Sequence, residues 1–334
     1  MPSLLEPGAI LRERYAVRDV VGRGGMGSIY LAEDLRLPGR SCAVKEVESD
    51  PSLPQTVLDQ GRAQFSREAS VLARLDHPNL PKVSDFFAEG NADYLVMDYV
   101  PGEDLKSKLD EARRLGTFLD IAEVLRWADQ IADALEYLHS QDPPVVHRDI
   151  KPSNLKLTPS GLIKLVDFGL VKQMAPDEMT ITVIQGRGTA YYTPLEQYGG
   201  DEGHTTPRTD LYAFAATLYH LMTNTPPAEA KSRFLQPNAL RAPREINHAI
   251  PGRVERALLW ALALHPDERP PDAHTFREAL HSGPIAPSLL ADGADVGAHL
   301  SDLWAEITHS PLDRLLAAAA ALATMLALLA SYAS

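Results

Sequence analysis

The segment VVHRDIKPSN, residues 145–154, brings five different functional groups together within eight positions. They are an imidazole, a guanidinium, a carboxylate, an ammonium and a carboxamide, and a proline stiffens the segment between the last two. Polar loops are common, but this assortment indicates a chemical task. The residues concerned are His147, Arg148, Asp149, Lys151 and Asn154.

A second carboxylate follows shortly after this segment. The runs LKL and LIKLVDFGL are typical of short strands, and the second ends at Asp167, with Phe168 and a glycine behind it. Asp149 and Asp167 are therefore expected on neighbouring loops, with Asn154 between them. Such oxygen ligands suit Mg²⁺, which prefers to share its coordination sphere with substrate phosphates and water. Each residue alone fits an ordinary polar turn, whereas their conjunction favours a metal site.

A glycine-rich turn lies near the N-terminus, in the stretch VGRGGMGSIY between two strand-like runs. Without side chains, glycines let backbone N–H groups approach a polyphosphate. A dinucleotide-binding fold needs such glycines to open a helix, but SIYLAED continues as a strand, which disfavours that alternative. The glycines are Gly22, Gly24, Gly25 and Gly27.

Lys45 ends the apolar strand run that follows the glycine-rich turn. A buried ammonium needs an anion close to it. The sequence offers two, namely the oxygens of a bound phosphate and the carboxylate of Glu68 on the next helix.

Composition excludes several other classes of protein. The chain has 334 residues, with 45 acidic and 32 basic side chains, and its net charge of −13 disfavours nucleic-acid binding, which depends on neutralising phosphates. The single cysteine, Cys42, excludes an internal disulfide framework. The first residues lack a basic stretch followed by an apolar run, so no signal peptide is expected.

The elements that must position these residues differ along the chain. The first hundred residues read as short strands with one helix, RAQFSREASVLARLD, and apolar residues recur at helical spacing after residue 120. This pattern predicts an α+β fold with a β-rich lobe joined by a short connector to a helical lobe. From about residue 283 to 311, Gly, Ala, Pro and Asp are typical of a linker.

Taken together, these motifs resemble those of bacterial, eukaryotic-type serine/threonine protein kinases, over about residues 12 to 280. The resemblance implies a bilobal kinase domain over residues 12–280, with an N-lobe at 12–97, a hinge at 98–100 and a C-lobe at 101–280. It also implies ATP and Mg²⁺ as cofactors, with Mn²⁺ as a substitute, and protein Ser/Thr hydroxyls as substrates.

The resemblance assigns roles to the residues of the opening segment. Asp149 would orient the substrate hydroxyl or accept its proton, and Lys151 would neutralise charge on the transferred group. Asn154 and Asp167 would hold two Mg²⁺ ions. Lys45 would bind the α- and β-phosphates and pair with Glu68.

The resemblance also implies an adenine pocket in the stretch YLVMDYV. Met97 would be the gatekeeper, and the backbone up to Val100 would face the base. Ile29 and Ala43 would form the apolar roof above it.

Further matching residues would support the loops. His147 would pack on Phe168, and Asp210 would brace the catalytic loop from below. Glu196 would pair with Arg269, although this chain reads Pro-Leu-Glu where the family usually has Ala-Pro-Glu, a departure that would loosen peptide docking locally.

Two alternatives to an active protein kinase come from other functional classes. A pseudokinase keeps the fold without the chemistry, but such proteins usually lose the equivalents of Lys45, Asp149 or Asp167. A small-molecule phosphotransferase of related fold lacks the activation segment and the loop lysine. The sequence disfavours both.

Regulation is expected in the segment between Asp167 and Glu196. Thr180 and Thr182 are candidates for autophosphorylation, because a phosphate there would form charge-assisted hydrogen bonds with Arg148 and order the loop.

The C-terminal end carries no charge after Arg314. An apolar helix over residues 312–333 is long enough to span a bilayer, although from Leu315 onward nine alanines dilute six leucines. This predicts a cytoplasmic kinase domain, a linker with a short amphipathic helix at 281–311, and an anchor in the inner (plasma) membrane. The alternative is an alanine-rich helix that packs on the kinase domain or in a homodimer.

Overall fold

The computed structural model of the chain describes residues 4–24, 27–48, 53–168, 189–198 and 205–282. Within these ranges the protein has a β-rich N-terminal lobe and a mainly helical C-terminal lobe, as predicted. No helix in the described ranges is both long and apolar enough to cross a bilayer. Several predicted features lie outside the described residues, namely Gly25, Thr180, Thr182, the linker from residue 283 and the apolar helix at 312–333.

The N-terminal lobe is a six-stranded antiparallel sheet in the order β1-β2-β3-β4-β6-β5. It begins at Ile10, two residues before the domain boundary that the sequence predicts. The strands are β1 (Ile10–Leu11), β2 (Tyr15–Gly24), β3 (Gly27–Asp34), β4 (Ser41–Glu48), β5 (Val83–Glu89) and β6 (Ala92–Asp98).

The two faces of this sheet have different environments, because side chains alternate along each strand. One face buries Tyr30, Val44 and Val96 in a small cluster that Leu4 and Leu5 of the N-terminal segment help to cover. The opposite face looks toward the first helix and the C-terminal lobe. Its buried members include Leu95 and Met97, which belong to the main core.

The helices of the described residues vary from one turn to five. The sequence predicts the first helix only from Arg62 onward, but the structure extends it back to Gln55. The helices are α1 (Gln55–Leu72), α2 (Leu105–Arg114), α3 (Ile121–His139), α4 (Pro207–Thr223), α5 (Ala230–Leu235), α6 (Pro243–Ile246), α7 (Gly252–Ala261) and α8 (Ala273–Ser282).

Helix α4 lies at the centre of the C-terminal lobe. All but its first two residues are buried, which explains why its sequence is apolar around the whole circumference. The helix begins with a capping box, in which Thr206 and Thr209 satisfy each other's backbone N–H groups, and Pro207 occupies the first turn. It ends at Asn224, which adopts the left-handed conformation common after helices.

A small second sheet carries the loops that contain the polar residues. It consists of β7 (Glu103–Asp104), β8 (Leu155–Leu157) and β9 (Ile163–Leu165) in the order β7-β8-β9. The segment at 145–154 leads into β8, and Asp167 follows β9 after one residue. Because β8 and β9 pair antiparallel, with Leu155 opposite Leu165, the two loops meet at one end of this sheet.

Candidate active site

The register of the N-terminal sheet aligns the predicted nucleotide-binding residues. Gly22 lies opposite Ile29, and Ile29 lies opposite Lys45. Ala43 lies opposite Met97 on β6. Since residues two apart on a strand share a face, Ile29 and Ala43 lie on the same face of the sheet as Lys45 and Met97. Val100, just beyond β6, is buried.

Gly27 has a steric reason to be glycine. Its φ is +145°, and a Cβ atom there would lie 1.9 Å from the carbonyl oxygen of Glu46 on the neighbouring strand. Any larger residue would push β3 and β4 apart. The close approach of two strands therefore explains why residue 27 is a glycine. From the sequence, only phosphate binding is expected to require it.

The segment at residues 145–154 is called the catalytic segment here, after the role that its sequence predicts. Its carboxylate contacts both its ammonium and its carboxamide group. The Lys151 Nζ donates to Asp149 Oδ2 at 2.9 Å. The Asn154 Nδ2 donates to the same oxygen at 2.9 Å and to the Asp149 carbonyl at 2.8 Å. The Asp149 side chain is thereby fixed in one orientation. Lys151 also lies 3.3 Å from Oγ1 of Thr189, which connects the catalytic segment to the segment beginning there.

Asp167 adopts a left-handed backbone with φ of +63°, a conformation that is uncommon for non-glycine residues. Its carboxylate contacts the ammonium group of Lys45 across the two lobes. Lys45 Nζ also lies 3.4 Å from the carbonyl oxygen of Phe168.

The ion pair between Lys45 and Glu68, expected from the sequence, is not formed among the described residues. Lys45 pairs with Asp167, and Glu68 accepts a hydrogen bond of 2.7 Å from Gln64, one turn earlier in α1. A long side chain such as lysine binds the nearest carboxylate. Helix spacing and strand spacing alone do not determine which of the two that is.

Asp210 braces the catalytic segment from α4. Its carboxylate accepts the backbone N–H groups of His147 and Arg148, each at 2.8 Å, and lies 3.0 Å from Nε2 of His139. Burial opposes ionisation of Asp210 and would raise its pKa. The opposite effect comes from the hydrogen bond and charge of His139, followed by the charge of His147 and the N–H of Arg148. Together these interactions hold the pKa of Asp210 below its ordinary value. These bonds also hold the left-handed backbone of Arg148 (φ +68°).

Sequence reasoning missed His139. It is the last residue of α3, and its spacing to Asp210 carries no local signal, since 71 residues separate the two. The only hint in the sequence is a histidine at the end of an otherwise apolar helix face.

His147 and Phe168 are in ring contact, with centroids 4.6 Å apart. His147 is fully buried, and its Nδ1 accepts the backbone N–H of Asp149 at 3.3 Å. The imidazole thus lies between the backbone of Asp149 and the residue that follows Asp167. This arrangement suits an architectural role.

Arg269 and Glu196 form a buried, two-pronged ion pair at 2.6 and 3.0 Å. The remaining guanidinium N–H groups donate to three backbone carbonyls, so all five are used. Thr209 donates to the same carboxylate at 3.1 Å. The Pro-Leu-Glu sequence thus leaves Glu196 paired. The accepting carbonyls are those of Ala263, Leu264 and Arg208.

The donor set fits Mg²⁺. The amide nitrogen of Asn154 is committed to Asp149, so its side-chain oxygen, which accepts from Ser153 Oγ at 3.4 Å, is the atom that could bind a cation. The Val166 backbone N–H donates to the Asn154 carbonyl at 2.9 Å and brings the segment before Asp167 next to this loop. An amide oxygen and a carboxylate are hard ligands of the kind that Mg²⁺ and Mn²⁺ prefer.

Comparison with known proteins defines the family. A family model described as the protein kinase domain matches residues 15–271. The chain belongs to the protein kinase family, in the bacterial eukaryotic-type serine/threonine branch. The resemblance seen in the sequence is therefore confirmed.

Individual relatives cover most of this chain. A probable serine/threonine-protein kinase of Streptomyces coelicolor is 34% identical over 299 residues, which are 85% of this chain and 41% of that protein. Tyrosine-protein kinase MasK of Myxococcus xanthus is 32% identical over 308 residues, 87% of this chain and 46% of MasK. This chain thus spans less than half the length of either relative.

Among solved structures, the kinase domain of PknI from Mycobacterium tuberculosis is similar to this fold. Its TM-score is 0.64 at 29% sequence identity, and the alignment covers 83% of this chain and 98% of the PknI chain. The bilobal fold is therefore shared over nearly the whole of a kinase domain.

Proposed function

We propose that this protein transfers the γ-phosphate of ATP to Ser or Thr hydroxyls of proteins and acts in signal transduction. The observation that carries the proposal is the contact of Asp149 with both Lys151 and Asn154, in a loop that a buried aspartate holds from below. Phosphoryl transfer needs mainly positioning and charge stabilisation, which such a constellation supplies.

Each charged side chain has a task in this mechanism. Asp149 orients the acceptor hydroxyl and takes its proton, while Lys151 neutralises negative charge on the transferred group. Lys45 binds the α- and β-phosphates and exchanges its contact with Asp167 for contacts with phosphate and Glu68. Asn154 and Asp167 are the residues that would hold Mg²⁺, which supplies positive charge beside the phosphates when it is bound.

The adenine site is proposed between the sheet and the hinge. Ile29 and Ala43 share a face of the sheet and form its roof, with Met97 as gatekeeper and the backbone through Val100 beside the base. The glycines at 22, 24, 25 and 27 allow the strand turn to approach the phosphates.

Specificity for Ser and Thr is proposed from the 3.3 Å contact between Lys151 and Thr189, which places a small hydroxyl residue beside the catalytic segment. MasK, a relative named a tyrosine-protein kinase, makes the tyrosine alternative worth testing. Phosphoamino-acid analysis of labelled substrate decides between the two. Phosphotyrosine alone would contradict the proposal.

Incubation with radiolabelled ATP, Mg²⁺ and myelin basic protein tests the activity, with an Asp149→Asn variant as the control. The parent protein should label the substrate, and the variant should lose at least 10²-fold in rate, because a positioned base contributes about that much or more. Equal labelling by the two proteins would contradict the mechanism. ATP binding without transfer would favour a pseudokinase.

Autophosphorylation of Thr180 or Thr182 is proposed as the regulatory event. The segment that carries them connects Asp167 to Glu196, so a phosphate on it can reach Arg148, which precedes the catalytic aspartate. Mass spectrometry of the active enzyme should find at least one of the two phosphorylated. An active enzyme with both threonines unmodified would contradict this.

We also propose that the kinase domain, residues 12–280, is followed by a linker and by a membrane anchor at 312–333. The twenty uncharged residues from Leu315 to Ser334, at 1.5 Å per residue, are about as long as a bilayer core is thick. Arg314 on the kinase side agrees with a cytoplasmic domain. Fractionation of cells that express the full chain, beside a chain ending at His309, tests this. A full chain that stays in the high-speed supernatant would contradict the anchor.

A further inference from the structure

We infer that Tyr192 and His220 form a positioning pair that sets the distance between the turn at Ala190–Tyr192, which follows Thr189 beside the proposed site of the acceptor hydroxyl, and the catalytic loop at 145–154. The inference rests on the proposed kinase function. It assigns to both residues a role in the reaction with the protein substrate and no role in nucleotide binding.

The pair is a short, buried hydrogen bond. The hydroxyl of Tyr192 lies 2.6 Å from Nδ1 of His220, and both side chains are more than nine-tenths buried. The two residues are 28 positions apart, on the turn at Ala190–Tyr192 and on helix α4.

Both members of the pair are electrically neutral. Burial, followed by the charges of Lys106 and Arg113 on α2, lowers the pKa of His220 to about 4, although Asp110 opposes this. Burial and the charges of Asp110 and Tyr191 raise the pKa of Tyr192 above its ordinary value. Because both side chains are buried, breaking this hydrogen bond would leave a polar atom without a partner, which disfavours separation of the two residues.

The turn that contains Tyr192 also fixes Thr189. The backbone N–H of Tyr192 donates to the Thr189 carbonyl at 3.0 Å, and Oγ1 of Thr193 donates to the same carbonyl at 3.1 Å. The hydroxyl of Thr189 faces Lys151. Moving Tyr192 therefore moves the residue that contacts the catalytic lysine.

Helix α4 holds the catalytic loop as well. Asp210, in its first turn, accepts two N–H groups of the loop. The Thr217 hydroxyl donates to the Ala213 carbonyl within the helix at 2.8 Å and lies in contact, at 3.3 Å, with the carbonyl of Ile150, between Asp149 and Lys151. At 1.5 Å per residue, Asp210 and His220 are about 15 Å apart along the helix. One rigid, buried helix thus binds the catalytic loop at two points and the acceptor-side turn at a third, and it determines their separation.

The test removes the hydrogen bond with the smallest possible change. Tyr192→Phe deletes one hydroxyl, and His220→Leu deletes the acceptor. His220→Asn is the matched rescue variant, because an asparagine side chain can place a polar atom near the position of Nδ1. The measured quantities are kcat and KM for myelin basic protein at saturating ATP, and the dissociation constant of a fluorescent ATP analogue.

For Tyr192→Phe and His220→Leu we expect kcat/KM for the protein substrate to fall about tenfold, the loss equivalent to one buried hydrogen bond. The affinity for the ATP analogue should stay within about twofold of the parent, since no nucleotide-binding residue is displaced. His220→Asn should recover most of the activity toward protein. The double variant Tyr192→Phe/His220→Leu should lose no more than either single variant, because both changes remove the same bond.

Two results would overturn the positioning role in an active enzyme. One is parental kcat/KM in Tyr192→Phe, and the other is a parallel loss of ATP-analogue affinity, which would indicate general destabilisation of the lobe. A parent enzyme that labels no protein substrate would overturn the proposed function itself, and this inference with it. The two failures are therefore distinguishable by the activity of the unmodified chain.

Discussion

Two ion pairs of this kinase domain differ in the way they are held. The pair between Arg269 and Glu196 is buried, with side-chain exposures of 0% and 8%, and every N–H of its guanidinium has an acceptor. The pair between Lys45 and Asp167 joins the two lobes, and its side chains keep 16% and 30% exposure. The guanidinium of the first pair has no N–H group left for a ligand. The second pair remains partly accessible to solvent.

This difference distinguishes side chains that stabilise the fold from side chains that can bind a ligand. A saturated, buried pair is costly to break from one side and fixes the backbone around it. A partly exposed pair is worth little to stability and can exchange partners when phosphate arrives. Asp210 belongs with the first kind, since its fully buried carboxylate is hydrogen-bonded to the catalytic segment. The following predictions test this division, in descending order of expected effect.

Breaking the ion pair between Arg269 and Glu196, which we call the scaffold pair, should have the largest effect on stability. Arg269→Met leaves the Glu196 carboxylate buried without its partner, so the free energy of unfolding should fall by about 3–5 kcal/mol. Chemical denaturation measures it. Glu196→Gln, which keeps two polar atoms in place, should lose less. A loss below about 1 kcal/mol in Arg269→Met would show that the pair is dispensable.

Breaking the lobe-to-lobe pair should affect turnover and leave stability nearly unchanged. Lys45→Met removes the charge that we propose binds phosphate, and loss of one such group typically reduces turnover by about 10²–10³-fold, equivalent to about 2.7–4 kcal/mol. Lys82→Met, the same substitution in an exposed ion pair with Asp76, is the control and should keep parental turnover. Steady-state kinetics and thermal unfolding of both variants test the separation. A melting temperature of Lys45→Met far below that of the control would assign Lys45 to the scaffold.

Asp210 should make the domain sensitive to acid. Its folded pKa lies below the ordinary value of 3.8, so its contribution to stability is present above that pH and is lost as the pH falls through the folded pKa. Asp210→Asn abolishes this titration and leaves one backbone N–H poorly matched, at a cost of about 1–3 kcal/mol at neutral pH. The difference in unfolding free energy between parent and variant should therefore be larger at pH 7 than at pH 3. A difference that is independent of pH would contradict the ionised state.

The smallest effect is expected for an exposed pair close to the scaffold pair. Arg208 contacts Asp267 at 2.8 Å, but the Asp267 side chain is 81% exposed, so Arg208→Ala should cost less than about 1 kcal/mol. Denaturation under the same conditions as for Arg269→Met gives the comparison directly. Equal losses of unfolding free energy in Arg208→Ala and Arg269→Met would show that burial does not explain the difference between the two ion pairs.

Much of this molecule could be predicted from short stretches of sequence. The catalytic segment lies within ten residues, so its groups had to be neighbours wherever the chain placed them, and the structure joins Asp149, Lys151 and Asn154 directly. The strands around Lys45 and the long helix at 121–139 also follow from local periodicity. These features depend on interactions between residues close in the chain, which the sequence displays.

The tertiary structure alone decided which charged groups meet. Lys45 contacts Asp167, 122 positions away, instead of Glu68, and no local pattern in the sequence distinguishes these two carboxylates. His139 and His220 have no motif around them, yet each forms a hydrogen bond to a residue distant in the chain, Asp210 and Tyr192 respectively. A side chain several bonds long can bind any of several partners within its reach. Only the relative positions of packed helices and strands select among them.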